Sequence, residues 1–194
     1  ILGIRNKNDF PLIFYRENCA DMALSTNDID KKFISRAKCV CATGTHLSNV
    51  NVEGATIKAI SIARKLKKKT VLDIDFRPNL WGLSDHNDGE NRYIKSSEVT
   101  KKLQKNLRLF DLIVGTEEEF HIAGGINHTI KALKNVRSLT EAVLVCKRGP
   151  YGASIFENTI KSNLEKGITG RNFKIEVFNV LGAGDGFMAG LLRG

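Results

Sequence analysis

The chain ends with the stretch NVLGAGDGFMAGLLRG, which runs from Asn179 to Gly194. Gly182 and Gly184 permit a sharp backbone turn and leave room for a ligand beside the main chain. The apolar residues after them predict a helix, whose first N–H groups lack intrahelical partners and favour an anion. Asp185 lies in this first turn, where it can accept a proton from an attacking hydroxyl group or simply cap the helix. The local pattern leaves both roles open.

Upstream of this stretch, short apolar strands alternate with amphipathic helical patterns. Strands are predicted at Lys38–Thr43, Thr70–Asp75, Asp111–Gly115, Glu141–Lys147, Gly152–Glu157 and Asn172–Phe178. One helix is predicted after the first strand, with Ala55, Ala59, Ile62, Ala63 and Leu66 on one face. Further helices are predicted over Ser96–Leu109, Glu117–Ala123 and Asn127–Val136, and after Gly182. This order predicts a mostly parallel sheet covered by helices, a Rossmann-like three-layer α/β/α sandwich.

Polar or glycine-rich segments follow the predicted strands directly. They are Thr43–His46, Asp73–Arg77, Gly115–Glu119, Lys147–Gly149 and Gly182–Asp185. In open α/β sheets the carboxyl ends of parallel strands meet at one edge, and ligands bind there. We therefore expect these segments to converge on one site.

The composition is ordinary for a soluble globular protein, and 194 residues suffice for one domain with a core. The longest apolar runs are too short to cross a bilayer, and the first residues resemble neither a signal peptide nor a transit peptide. We therefore expect a cytoplasmic protein without a membrane partner.

The net charge of +9 raises the question of nucleic-acid binding. Basic residues cluster at Arg64–Lys69, Lys95–Arg108 and Lys131–Arg137, in or beside separate helical patterns. No aromatic residues interleave with them, and no nucleic-acid-binding module is recognisable. Solvated helix faces explain the charge better than a nucleic-acid partner.

The cysteines and histidines do not form a recognisable metal or catalytic pattern. Cys19, Cys39, Cys41 and Cys146 include no C-x-x-C pair, and buried or half-buried free thiols in a reducing compartment are expected. The histidines His46, His86, His121 and His128 are scattered along the chain. We predict no zinc site.

The closing stretch resembles the C-terminal signature of the ribokinase-like (PfkB-type) carbohydrate kinases. The match includes Gly182-Ala183-Gly184-Asp185 and the small pair Ala189-Gly190. The resemblance implies a ribokinase-type sandwich in which Asp185 is the catalytic base that deprotonates the sugar hydroxyl. It also implies that the backbone amides of Gly182, Ala183 and Gly184 form the anion hole.

Further stretches are together similar to one subfamily, the 5-dehydro-2-deoxygluconokinases of bacterial myo-inositol catabolism. These stretches are Phe10–Leu24, Asp73–Leu83, Gly115–Gly125 and Cys146–Gly152. The resemblance implies ATP-dependent phosphorylation, with Mg²⁺, of the C6 hydroxyl of a small-molecule keto sugar acid, 5-dehydro-2-deoxy-D-gluconate. The alternatives are a 2-keto-3-deoxygluconate kinase, another ribokinase-like sugar kinase, and an inactive sugar- or nucleotide-binding module.

The resemblance assigns the keto acid to three side chains. Arg77 follows a predicted strand, and Pro78 keeps it extended, so its guanidinium is placed to bind a carboxylate with two hydrogen bonds. An ion pair of Arg77 with Asp75 or Asp73 is the alternative. Tyr15 and Arg16 resemble the arm that covers the sugar, although a plain alternating strand explains them equally well.

The resemblance assigns ATP and Mg²⁺ to the next two strand ends. Thr116 and Glu119 align with an Asn-x-x-Glu motif that organises Mg²⁺ and the phosphates through water, with Thr in place of Asn. A cluster of acids that favours the helix dipole is the alternative for this segment. Lys147, Gly149 and Gly152 align with the segment that passes the phosphates, although a simple turn suits the glycines equally well.

The resemblance also implies that the chain belongs to a longer kinase. The family's sugar-binding strands would precede Ile1, and helices that wall the adenine pocket would follow Gly194. Residues 1–25 are then a remnant of the lid or substrate arm, and residues 26–194 belong to the α/β core. We expect the chain alone to be poorly soluble and inactive, and we leave open a homo-oligomer of the whole protein.

Overall fold

A computed structural model describes Ile13 and residues 15–86, 93–178 and 180–194. Its strands are β1 (Cys39–Thr43), β2 (Lys69–Asp73), β3 (Leu112–Thr116), β4 (Val143–Lys147), β5 (Ala153–Phe156) and β6 (Ile168–Gly170). Its α-helices are α1 (Lys31–Arg36), α2 (Val50–Lys65), α3 (Ser97–Asn106), α4 (Glu117–Gly124), α5 (Thr129–Arg137) and α6 (Ala183–Arg193). Among these helices, none combines the length and apolar composition needed to cross a membrane.

The six strands form one sheet in the order β1-β2-β3-β4-β5-β6. Strands β1 to β4 are parallel, whereas β5 and β6 are antiparallel to their neighbours. Each parallel connection moves one strand along the sheet in the same direction, and right-handed crossovers then place the connecting helices on one face. The expected mostly parallel α/β architecture is confirmed.

Alternating side chains of the strands separate two apolar layers. Ile113 and Leu144 belong to the main core with buried residues of α3, α4 and α5, including Leu103, Phe120 and Leu133. On the opposite face, Val114, Val145 and Ala153 pack against Phe187, Met188 and Leu191 of α6. Helices therefore cover both faces, which gives the three-layer sandwich.

Helix α2 shows a buried face that differs in part from the predicted one. Its buried residues are Val52, Ala55, Thr56, Ile60 and Ala63, whereas Ala59, Ile62 and Leu66 are half-buried. The face turns toward the sheet and also toward the N-terminal segment, because α2 contacts the short 3₁₀ turns at Ala20–Ala23 and Thr26–Asp28. Packing on two sides widens the buried stripe.

The predicted strand at Asn172–Phe178 is wrong. Residues 171–177 form no regular element, and the last strand is instead Ile168–Gly170, paired with β5. Phe173 and Ile175 are 84% and 75% exposed. The apolar alternation is present, but within the described residues no neighbouring strand provides the hydrogen bonds that a ladder requires.

One cysteine also departs from the expectation. Cys41 is exposed, whereas Cys19 and Cys39 are half-buried and Cys146 is buried; all four are free thiols. Cys41 lies on β1, the edge strand of the sheet, on the face away from the main core. An edge strand with a partly covered face leaves this side chain in contact with solvent.

Candidate active site

The parallel strands end side by side at one edge of the sheet. Thr43, Asp73, Thr116 and Lys147 are the last residues of β1, β2, β3 and β4. Short segments continue from each: a 3₁₀ turn at Gly44–Leu47, residues 74–77, the start of α4, and a 3₁₀ turn at Gly149–Tyr151. The topology therefore brings four of the five predicted segments to one edge.

The fifth segment, the start of α6, reaches the same edge beside β4. A Cβ atom added to Gly184 would lie 3.8 Å from Nζ of Lys147. Gly182 has φ +75°, a left-handed conformation that glycine adopts without strain, and it precedes the first helical residue. The first turn of α6 therefore lies next to the ammonium group of Lys147.

Asp185 projects from this first turn and is exposed. Gly182, the N-cap residue, carries no side chain that accepts a capping bond. The N–H of Gly186 donates to the carbonyl of Gly182 at 2.8 Å, which begins the helical ladder. The turn thus combines early backbone donors with a solvent-accessible carboxylate, as an anion cradle with a nearby base requires.

Lys147 is the centre of a small buried ionic cluster, made of Asp73, Glu119 and Lys147. Its Nζ lies 3.1 Å from Oδ1 of Asp73 and 3.9 Å from Oε2 of Glu119. Burial raises the pKa of Asp73 and of Glu119 above their ordinary values, and the charge of Lys147 opposes that rise. A positive charge is therefore held at the sheet edge by two carboxyl groups.

Thr116 and Glu119 form a capping box at the start of α4. The Glu119 carboxylate accepts a hydrogen bond from the N–H of Thr116 at 2.7 Å, and Thr116 Oγ1 accepts one from the N–H of Glu119 at 3.3 Å. This reciprocal arrangement satisfies two backbone donors that the helix start would leave unpaired. It also accounts for a threonine at the first position of the motif, because its hydroxyl caps the helix.

Arg77 is paired with Asp75 at the exit of β2. Its guanidinium lies 2.8 Å from Asp75 Oδ1. Asp75 has φ +34°, an uncommon backbone conformation for a residue other than glycine. Pro78 begins a 3₁₀ turn to Trp81, whose side chain packs against the main core. The ion pair foreseen as an alternative is present, and it holds the guanidinium at the sheet edge.

Both predicted arm residues have a side-chain partner. Arg16 pairs with Asp21 at 2.6 Å, and Nε2 of His46 lies 3.8 Å from the same carboxylate. Tyr15 is 58% exposed and stacks on His86 with ring centroids 4.8 Å apart. The rest of the predicted arm, residues 1–12 and 14, lies outside the described residues.

The two glycines after β4 shape a tight turn. Gly149 and Gly152 have φ +52° and +80°. A Cβ atom on Gly152 would overlap the carbonyl oxygen of Gly170, so only glycine fits where the chain passes β6. Gly152 therefore has a structural reason for its identity, whereas a Cβ on Gly149 would meet no atom within 4 Å.

The contacts of Asp73 and of His46 were not predicted from the sequence. The sequence gives no direct sign that Asp73 is mostly buried. However, Leu72 and Ile74 on either side of it belong to the main core, so Asp73 lies on the opposite face of the sheet, with Lys147. Nδ1 of His46 forms a hydrogen bond with Oγ1 of Thr43 at 3.3 Å. Both residues lie in segments already predicted to converge.

Comparison with known proteins agrees with this geometry. The profile of the pfkB family carbohydrate kinases matches residues 4–194. The chain belongs to the pfkB family. A 5-dehydro-2-deoxygluconokinase of Geobacillus kaustophilus is 28% identical over 98% of this chain and 53% of its own length. The chain thus spans about half the length of that curated relative.

Solved structures of two kinases share the fold. Fructokinase from Vibrio cholerae, crystallised with fructose, ADP and calcium, matches with a TM-score of 0.70 at 20% identity, over 97% of this chain and 54% of that chain. Aminoimidazole riboside kinase from Salmonella enterica, complexed with aminoimidazole riboside and an ATP analog, matches with a TM-score of 0.68 at 17% identity, over 92% and 53%. These TM-scores show that the chain has a ribokinase-like fold.

Proposed function

We propose that the protein is an ATP-dependent kinase that phosphorylates the C6 hydroxyl of 5-dehydro-2-deoxy-D-gluconate. The observation that carries the proposal is the first turn of α6. It brings Asp185 and the glycine-bounded backbone to the edge of the sheet, where Gly184 lies beside the Lys147 ammonium. The name of the Geobacillus kaustophilus relative supports the choice of acceptor.

Phosphoryl transfer uses Asp185 as the general base. Its carboxylate takes the proton of the C6 hydroxyl, and the hydroxyl oxygen forms a bond to the γ-phosphorus of ATP. The bond between that phosphorus and the bridging oxygen breaks, and ADP leaves with the electron pair. An exposed carboxylate in the first turn of a helix suits this role, since the substrate hydroxyl must reach it.

Charge on the transferring group is stabilised by the backbone amides at Gly182, Ala183 and Gly184. The helix dipole adds a favourable field at the same point. Lys147 contributes a point charge from the end of β4, and Gly149 and Gly152 let the following turn pass close to the phosphates. The amides belong to the first turn of α6, whereas Lys147 and the two glycines belong to the end of β4 and the turn after it, so the two groups meet only in the folded chain.

Mg²⁺ fits the acidic exit of β3. Glu119, with Thr116 at the other end of the capping box, is the carboxylate assigned to it. Among the described residues no group of three or more metal-ligating side chains is present, so Glu119 would hold the ion through water, and water and the phosphates would be its ligands. When bound, the ion neutralises phosphate charge.

The carboxylate of the keto acid is assigned to Arg77, with Arg16 and Tyr15 from the arm. Both guanidiniums are already oriented by aspartates, Arg77 by Asp75 and Arg16 by Asp21. A guanidinium held in place loses less entropy when it binds a carboxylate with two parallel hydrogen bonds. We also propose that residues 1–25 act as the substrate arm and residues 26–194 as the α/β core, in a cytoplasmic enzyme.

The choice of acceptor is tested by comparing two keto acids in the intact protein. ATP-dependent ADP release is measured with 5-dehydro-2-deoxy-D-gluconate and with 2-keto-3-deoxygluconate under the same conditions. We expect kcat/KM to be higher for the first by at least about tenfold, the discrimination that one well-placed hydrogen bond provides. The reverse ranking would make the protein a 2-keto-3-deoxygluconate kinase. ATP binding without ADP release from either acid would indicate a binding module.

A further inference from the structure

The ionic cluster joins strands that are not neighbours. Asp73 ends β2 and Lys147 ends β4, with β3 between them. Adjacent strands are about 4.8 Å apart, so the Lys147 side chain must reach over the end of β3 to bring Nζ within 3.1 Å of Asp73. This reach directs the lysine along the sheet edge and away from open solvent.

Asp73 is the principal partner of the buried ammonium. The side chains of Lys147 and Asp73 are 14% and 13% exposed. Glu119 is farther away at 3.9 Å, and its Oε2 already accepts the N–H of Thr116 at 2.7 Å. A lysine has a flexible stem and three rotatable donors, so its position depends on the partner that binds it. Here that partner is Asp73.

The Lys147 ammonium, held by Asp73, lies next to the first turn of α6. Gly184 of that helix lies beside the ammonium, because a Cβ atom added there would be 3.8 Å from Nζ. Asp73 itself lies at the end of β2, and its contact to this region is the Lys147 ammonium. Its hydrogen bond with Lys147 therefore links Asp73 to a group bound at the turn.

We infer that Asp73 is a positioning residue, which holds the Lys147 ammonium beneath the first turn of α6 for phosphoryl transfer. The inference rests on the proposed kinase function. Without Asp73 the lysine side chain is still present, so ATP still binds, but its amino group no longer occupies one place relative to the transferring group. A misplacement of about 1 Å at a reacting centre lowers rates by about 10²-fold.

The test is a double-mutant cycle in the intact protein, made of Asp73→Asn, Lys147→Met and the pair. Asp73→Asn is expected to lower kcat about 10- to 100-fold, while KM for the keto acid changes by less than about twofold. In the Lys147→Met background, Asp73→Asn should lower kcat no further, because the residue that it positions is gone. Equal losses in both backgrounds, or an unchanged kcat in the single variant, would overturn the inference.

Asp111→Asn is the matched control. Asp111 accepts hydrogen bonds from the N–H and hydroxyl of Thr70, at 2.8 and 3.0 Å, near the opposite ends of the strands. Its loss should lower the melting temperature and leave kcat unchanged within about twofold. A fall in kcat as large as that of Asp73→Asn would show that the loss of a carboxylate elsewhere beside the sheet has the same effect, and would also overturn the inference.

A second readout does not depend on turnover. The rate at which an amine-reactive acetylating reagent modifies Lys147, followed by mass spectrometry, should rise at least about fivefold in Asp73→Asn, since the ion pair no longer protects the amine. An unchanged rate would contradict the inference, even if the wild-type protein proves to lack kinase activity and the proposed function fails. If Asp73→Asn does not fold, Asp73→Glu, which moves the carboxylate by one methylene, is used in its place. The same fall in kcat and the same rise in the acetylation rate of Lys147 are then expected.

Discussion

Replacing Asp185 with asparagine is expected to lower kcat by about 10²- to 10⁴-fold, the usual loss when a general base is removed. Asparagine has the same shape but cannot take the proton of the attacking hydroxyl. Asp185 is exposed on the first turn of α6, and no described side chain is paired with it, so the fold and the affinity for ATP should be nearly unchanged. Steady-state kinetics and calorimetric ATP binding measure the two quantities.

Glu157→Gln provides a control for the loss of one acidic charge. Glu157 is exposed just after β5, the antiparallel strand, and therefore lies away from the edge that carries the site. We expect its kcat to equal that of the wild-type protein. If Asp185→Asn also retains a near-normal kcat, Asp185 is a helix-start acid and another group must take the proton.

Arg77→Lys is expected to raise KM for the keto acid by about 10- to 100-fold and to leave KM for ATP nearly unchanged. Lysine keeps the positive charge but cannot form two parallel hydrogen bonds with a carboxylate, and hydrogen bonds to charged groups contribute about 1.5–3 kcal/mol. Initial rates with each substrate varied in turn separate the two constants.

Arg64→Lys is the matched control for this change. Arg64 is exposed near the end of α2 and donates to the carbonyl of Leu109 at 3.1 Å, remote from the exit of β2. It should alter neither KM. Equal rises in both constants for Arg77→Lys would show that the pair of Arg77 with Asp75 only shapes the loop.

Most of the sheet could be predicted because its central strands, β2 to β4, are buried on both faces. Runs such as Val71–Leu72 and Leu144–Cys146 are continuous and apolar, and each is followed by a helical pattern or a turn. The failure at Asn172–Phe178 has a physical cause. Alternating apolar residues form a strand only beside another strand, and the partner of β5 is the short β6 instead.

The site could be predicted in position but not in detail. Parallel topology alone brings the ends of β1 to β4 together, so the residue types after each strand were informative. The partners of those residues depend on how far each side chain reaches. Lys147 spans β3 to meet Asp73, and Arg77 turns back to Asp75 through a left-handed backbone at that residue. Neither contact follows from spacing along the chain.

The most direct test of the proposed reaction is a phosphorus-31 NMR spectrum of the product made by the intact protein from ATP and 5-dehydro-2-deoxy-D-gluconate. We expect a new phosphomonoester signal that is split by the two protons of a methylene group, because C6 carries a primary hydroxyl. The signal should grow as the γ-phosphate signal of ATP decreases. Its absence in the presence of active protein and both substrates, or its replacement by free phosphate alone, would contradict the account.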